Sequence, residues 1–237
     1  MYITQDYSRY SAEDHQVWQL LYERRLPDLR GTACSAFLEG LDLIGLDARR
    51  VPNLADVNTR LKPLTGWQAM PVPGYLPARE FFQSLSHRKF PTTITVRPRQ
   101  QLDYLPEPDI FHDVFGHVPL HSQPTFADFL QHYGEAALHT HGEQELTELA
   151  RLFWFTVEFG LIRENGAIKL FGSGLMSSAG EGPHALSDKV EKRRFNLHEV
   201  VNQPFEIDHY QPLLFVIDSF QQLYDAMREW SGVHSYT

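Results

Sequence analysis

Residues 149–162, LARLFWFTVEFGLI, set a glutamate inside a run that is apolar almost all the way round. A helix of that pattern is buried, and Glu158 is buried with it. Ala150, Trp154 and Glu158 stand at i, i+4 and i+8, so the carboxylate shares a helix face with a tryptophan. An unpaired carboxylate in such a place costs several kcal/mol. The fold has to bring a cation to it. Arg151 and Arg163 are the local choices, but both fall near the ends of the run, toward solvent. A metal ion held by other side chains meets the same need.

Partners for such an ion stand in EPDIFHDVFGHVPL, residues 107–120. Pro108 near its start and Gly116 near its end bracket a short helix. His112 and His117 are five residues apart, about 140° around a regular helix. They converge on one ion only if the helix stops between them. Gly116 is the expected stop, and Pro119 prevents resumption. Two imidazoles and one carboxylate form the facial ligand set of non-haem Fe(II) enzymes. The same set holds catalytic zinc, and a zinc hydrolase built this way would use Asp113 as its general base. Residue types do not separate the two metals, although the common zinc-protease pattern H-E-x-x-H is absent.

Charge narrows the partners. The 237 residues carry a formal net charge of −9, without the electrostatic footprint of a nucleic-acid or anionic-lipid binder. The cluster Lys189, Lys192, Arg193 and Arg194 reads as a solvated face. A single cysteine, Cys34, excludes an internal disulfide and fits a reducing compartment. No apolar run approaches the ~20 residues of a membrane span, and MYITQDYSRY lacks the apolar centre of a signal peptide. The expectation is a cytoplasmic protein with no nucleic-acid and no membrane partner. Length and the absence of repeats or Gly/Ser linkers suggest one domain over residues 1–237.

Helix signals dominate. Ser11 caps a helix carrying VWQLLYERR, with Asp14 at its third position. A second helix spans 33–46, Asn53 caps a third, and Pro77 opens a fourth. Strands are few: TTITV at 92–96, the LIRENGAIKLF hairpin turning at Asn165-Gly166, and LLFVI at 213–217. A last helix covers about 219–230. The fold class is mainly α with small β ribbons.

Four words, VWQLLYERR (17–25), PDIFHDVFGHVPL (108–120), FWFTVEFGLI (153–162) and GSGLMSSAGE (172–181), together resemble the pterin-dependent aromatic amino acid hydroxylases. They occur in that family's order and spacing, and the resemblance covers about residues 10–230. It implies the aromatic amino acid hydroxylase catalytic-domain fold, without the regulatory and tetramerisation segments of animal members, and a monomer. It implies Fe(II) on His112, His117 and Glu158, with tetrahydrobiopterin or a related tetrahydropterin and O2 as co-substrates. The implied reaction is ring hydroxylation of L-phenylalanine to tyrosine. Tryptophan hydroxylation, meta-tyrosine formation, or a non-catalytic protein that binds a pterin or an amino acid are the alternatives.

Site roles follow from the same resemblance. Arg97 matches the arginine that binds the substrate carboxylate, and Asp109 the acid that orients it. Phe81 matches the aromatic that stacks on the pterin. Gly74 and Leu76 match the loop beside it, and Asp113 an acidic neighbour. Phe153 stands where many relatives have tyrosine. Ser177, Ser178 and Glu181 match a loop closing the substrate site. Trp154 matches the tryptophan usual in phenylalanine and tyrosine hydroxylases, and Ile207 a position that is acidic in tyrosine hydroxylases. Leu105 and Phe90 would add apolar lining. The remaining histidines, His121 among them, read as surface or structural.

Overall fold

The computed structural model describes residues 1–103 and 107–234; Leu105 lies outside them. Helix α1 (Ala12–Thr32) starts at the expected capping box. Asp14 N donates to Ser11 Oγ at 3.2 Å, and Ser11 N donates to the Asp14 carboxylate at 2.8 Å. Helix α2 (Ser35–Ile44) ends at Gly45, whose φ of 66° is left-handed, as a terminating glycine allows. Helix α3 (Leu54–Thr65) takes its cap from Asn53. Strands β1 (Gln68–Val72) and β2 (Lys89–Thr93) pair in parallel, with α4 (Ala78–Ser86) as the crossover between them.

The strand expected at 92–96 therefore ends at Thr93, three residues early. β-branched residues favour extended backbone, but a strand lasts only as long as its partner. Val72, opposite Thr93, is the last residue β1 supplies.

The run 149–162 is not one helix. Helix α6 (Glu143–Phe153) passes into a π-wound turn, Trp154–Glu158, and strand β3 begins at Leu161. A strand buried on both faces is apolar all round, as a buried helix is, so periodicity does not separate them. Gly160 makes the change of direction: a Cβ there would lie 2.1 Å from the Phe171 ring and 2.3 Å from Thr156 O.

Strand β3 (Leu161–Glu164) turns through Asn165 and Gly166, at φ 52° and 79°, into β4 (Ala167–Leu170). This is the expected Asn-Gly hairpin. Strands β5 (Glu191–Arg194) and β6 (Leu213–Ile217) complete a sheet in the order β4-β3-β6-β5. Helix α10 (Phe220–His234) packs on α5 (Pro124–Leu138), which also packs on α4. The molecule is mainly helical. No helix among the described residues is long and apolar enough to cross a membrane.

One aromatic cluster positions the site. Phe111 and Phe115 stack at 4.6 Å and 11°, with the Trp18 ring edge-on to Phe111 at 5.3 Å and the Tyr22 ring edge-on to Phe115 at 5.1 Å. All four are buried. They anchor the inner face of the turn whose other face carries the two histidines.

Candidate metal centre and its cleft

Phe111–His117 is a single π-wound turn that runs on into a 3-10 turn, Val118–Ser122. The helix does not stop between the histidines, as the sequence suggested. π winding closes hydrogen bonds from i to i+5, so residues five apart come onto one face. That winding is what unites His112 and His117. Gly116 is not left-handed. Its missing side chain serves a close approach instead: a Cβ would lie 3.0 Å from Ser173 O and 3.3 Å from Ser173 Cβ. This brings helix α7 (Ser173–Ser177) against the turn.

Glu158, the last residue of the second π turn, meets the pair. His117 Nε2 lies 3.2 Å from Glu158 Oε1, His112 Nε2 lies 3.6 Å from Oε2, and the two Nε2 atoms are 3.2 Å apart. An ion about 2.1 Å from each donor places neighbouring donors roughly 3.0 Å apart in an octahedral face and roughly 3.4 Å apart in a tetrahedral set. The observed spacings are close to those of a shared ion. Arg151 donates instead to Val201 O, and Arg163 pairs with Asp218.

Hydrogen bonding also fixes which nitrogen of His112 is bare. Ser177 Oγ donates its one proton to Ser173 O at 2.9 Å. It must accept from His112 Nδ1, 2.9 Å away. His112 Nε2 is then left with its lone pair toward the ion position, the arrangement metal-binding imidazoles take. Ser173 Oγ donates to Glu158 Oε2 at 2.7 Å. Burial alone would push the Glu158 carboxyl up. The imidazoles of His117 and His112 and the Ser173 hydroxyl outweigh it and hold it down at about 2. Burial pushes His112 down, against the pull of Glu158. Both groups are in the form a cation requires.

Asp113 offers a competing oxygen within 4.8 Å of the imidazoles. Its Oδ2, however, accepts from Thr93 N and Thr93 Oγ1, both at 2.7 Å, and its buried carboxyl is pushed up. Glu158 is closer and better placed as the third ligand.

The three donors lie in the wall of a cleft of about 520 Å³, which Arg97, Phe81, Phe90, Asp113, Phe153, Trp154, Ser177, Ser178 and Glu181 also line. Phe81 meets Phe153 edge-on at 5.9 Å. Arg97 Nε and Nη2 each donate to Asp109 at 2.9 Å, and Arg97 N donates to the same carboxylate at 3.1 Å. Asp109 also accepts from His112 N at 3.1 Å, tying this fork to the metal turn. Ser178 Oγ accepts from Glu181 N at 3.2 Å. Burial pushes the Glu181 carboxyl up to about 7. A larger depression, about 730 Å³, lies over Arg193, Arg194 and His198. It is open polar surface and gathers no such donor set.

Three expected positions fall elsewhere. Ile207 is 76% exposed and does not line the cleft. It sits in the irregular segment before β6, where its side chain faces solvent. Gly74 and Leu76 also stay out of the lining. Tyr75 between them reaches it, because neighbours in an extended loop alternate in direction.

Sequence reasoning misses the role of three supports. Ser173 binds Glu158, and its signal was its i, i+4 relation to Ser177. Arg25, fully buried in α1, donates to Met176 O at 3.0 Å and Leu175 O at 3.1 Å and holds down the end of α7. His121 is buried, as a structural histidine is, but against the site: its Nδ1 donates to His117 O at 2.9 Å, and its Nε2 has no hydrogen-bond partner among the described residues.

Two predictions arise here. Ser173→Ala should weaken metal binding about tenfold in a chelator competition, since loss of a group that orients a ligand costs 10–100-fold. The melting temperature of the metal-free protein should change little. His121, pushed down to about 3 by burial, stays neutral in the fold, while the unfolded chain protonates near 6.5. The unfolded state therefore gains a proton as pH falls through 6.5, and stability drops until about pH 3, by up to roughly 5 kcal/mol. His121→Phe should flatten that stretch of a denaturant-derived stability curve.

A family model described as biopterin-dependent aromatic amino acid hydroxylase matches residues 5–235. The chain belongs to that family. A phenylalanine-4-hydroxylase from Chromobacterium violaceum is 45% identical over 225 residues, 94% of this chain and 76% of the relative. One from Caulobacter vibrioides is 43% identical over 234 residues, 98% and 80% of the two chains. The Chromobacterium violaceum phenylalanine hydroxylase with bound iron(III) and 7,8-dihydrobiopterin superposes with a TM-score of 0.94 at 44% identity, covering 99% of this chain and 86% of that one. The mainly helical architecture is thus the catalytic-domain fold of the hydroxylases.

Proposed function

We propose that the protein is an Fe(II)- and tetrahydropterin-dependent monooxygenase that converts L-phenylalanine to tyrosine with O2. The observation that carries the reading is the convergence of His112 Nε2, His117 Nε2 and Glu158 to within 3.2–3.6 Å in the wall of an aromatic cleft. In this reading the three side chains hold the iron by one face. Bound iron and reduced pterin supply the activation of O2 and the oxidant for the ring.

The chain's own residues position and protect. Arg97, held in a fork by Asp109, presents its guanidinium to the amino acid carboxylate. Phe81 and Phe153 offer flat apolar surface to the pterin, and Asp113 stands beside it. Phe90, Trp154 and Phe159 surround the substrate ring and exclude water, which keeps oxidising equivalents from being lost. The Trp154 N–H is spent on Gln211 at 3.1 Å. The indole then offers no donor to a phenol, which favours phenylalanine over tyrosine. Cys34 is buried with its thiol pushed up to about 12, and takes no part. The partners are small molecules, an amino acid and a pterin. The working form is a cytoplasmic monomer, which sedimentation at micromolar concentration checks.

Incubation with Fe(II), a tetrahydropterin, L-phenylalanine and ¹⁸O2 tests this. The expected product is para-tyrosine carrying one labelled oxygen. Meta-tyrosine, or product from tryptophan alone, would overturn the substrate or ring-position assignment. Bound iron and pterin with no product would favour a binding protein.

A further inference from the structure

We propose that Gln211 is a positioning residue for the aromatic substrate: it fixes the Trp154 indole in the cleft wall by tying it to the segment 203–212. The inference rests on the cleft being the amino acid site. Residues 203–212 join helix α9 (Leu197–Asn202) to β6 without regular structure. Gln211 is 3% exposed within it. Its Nε2 donates to Glu206 O at 2.7 Å and to His209 O at 3.2 Å. Two carbonyl partners identify the amino end of the side chain. Oε1 therefore faces the Trp154 N–H, which donates to it at 3.1 Å.

One side chain thus closes the loop on itself and clamps the indole. The same loop supplies the Phe205 ring, stacked on Trp154 at 4.4 Å and 12°. Trp154 also meets the tilted Phe159 ring at 4.6 Å. The indole is half-buried and faces the cleft. Without Gln211 its N–H and two loop carbonyls lose their partners together. Both ends of the loop are anchored by α9 and the fully buried β6, so losing the clamp frees the indole without opening the core.

Gln211→Met keeps the shape and removes all three hydrogen bonds. Gln211→Glu keeps an acceptor for Trp154 but sets a carboxylate oxygen against the two loop carbonyls. For both variants KM for phenylalanine should rise about tenfold, and the kcat/KM preference for phenylalanine over tryptophan should fall about tenfold. KM for the pterin and the iron affinity should stay within about twofold, a split that general loosening does not give. In the Trp154→Phe background, Gln211→Met should cost nothing further. Tryptophan emission of the metal-free, substrate-free protein gives a second readout. Gln211→Met should shift it to the red, and the shift should vanish in the Trp154→Phe background. That test stands even if wild-type protein does not act on phenylalanine. Unchanged emission in both variants, or a preference loss that simply adds to that of Trp154→Phe, would overturn the proposal.

Discussion

Glu158→Ala protein is expected to purify folded, to bind Fe(II) at least about a thousandfold more weakly than the parent chain, and to show a similar loss of turnover. Removing a group that merely orients a ligand costs 10–100-fold in affinity, and Glu158 is read as a ligand itself. The fold should survive because the turn that carries the two histidines is anchored by the buried Phe111 and Phe115 rings, which the substitution does not touch. His112 and His117 keep their other supports, Ser177 for the first ring and the tilted Phe90 ring, 4.6 Å away, for the second. Metal content by atomic absorption and a melt of the metal-free protein check both halves. Iron retained at parental affinity would remove Glu158 from the site.

The second large effect is expected at Asp109. Asp109→Asn leaves the largely buried Arg97 guanidinium without its counter-charge. One carbonyl oxygen must then replace two oxygens that receive Nε, Nη2 and the backbone N–H of Arg97 and the N–H of His112. Breaking a buried pair from one side costs about 3–5 kcal/mol. Part should appear as lost stability and part as a misdirected arginine. KM for phenylalanine should rise about a hundredfold, while KM for the pterin stays within about twofold, since the pterin site is built on other side chains. Steady-state kinetics in both substrates, with a melt alongside, separates the two shares. A pterin KM that rises as much as the phenylalanine KM would mean that the fork serves the whole cleft.

Much of the site was legible because burying a charge has few solutions. Glu158 in an apolar run demanded a cation, and two histidines in another glycine-bearing word could supply its ligands. The way they meet was not legible. A regular helix separates His112 from His117, and the expected break at Gly116 is replaced by π winding, which has no composition signature. What packs against that winding is tertiary: Trp18 and Tyr22 of α1 on the Phe111 and Phe115 rings, and α7 against Gly116.

The same limit explains the strands. TTITV has the composition of a strand, yet the length of β1 decides where pairing ends. LARLFWFTVEFGLI reads as one buried helix because a strand buried on both faces has the same composition. Supports such as Ser173, Arg25 and Gln211 act across 15 to 151 positions of chain. No local pattern announces contacts of that range. Ile207 shows the converse, since matching a family position does not place a side chain in the cleft when its loop runs over the surface.

The most direct test of the centre is an anomalous difference map at the iron edge from crystals loaded with Fe(II). The expected result is one strong peak about 2.1 Å from His112 Nε2, His117 Nε2 and a Glu158 oxygen. A peak held by Asp113 in place of Glu158, or iron found only at the exposed Glu206, Asp208 and His209 cluster, would contradict it.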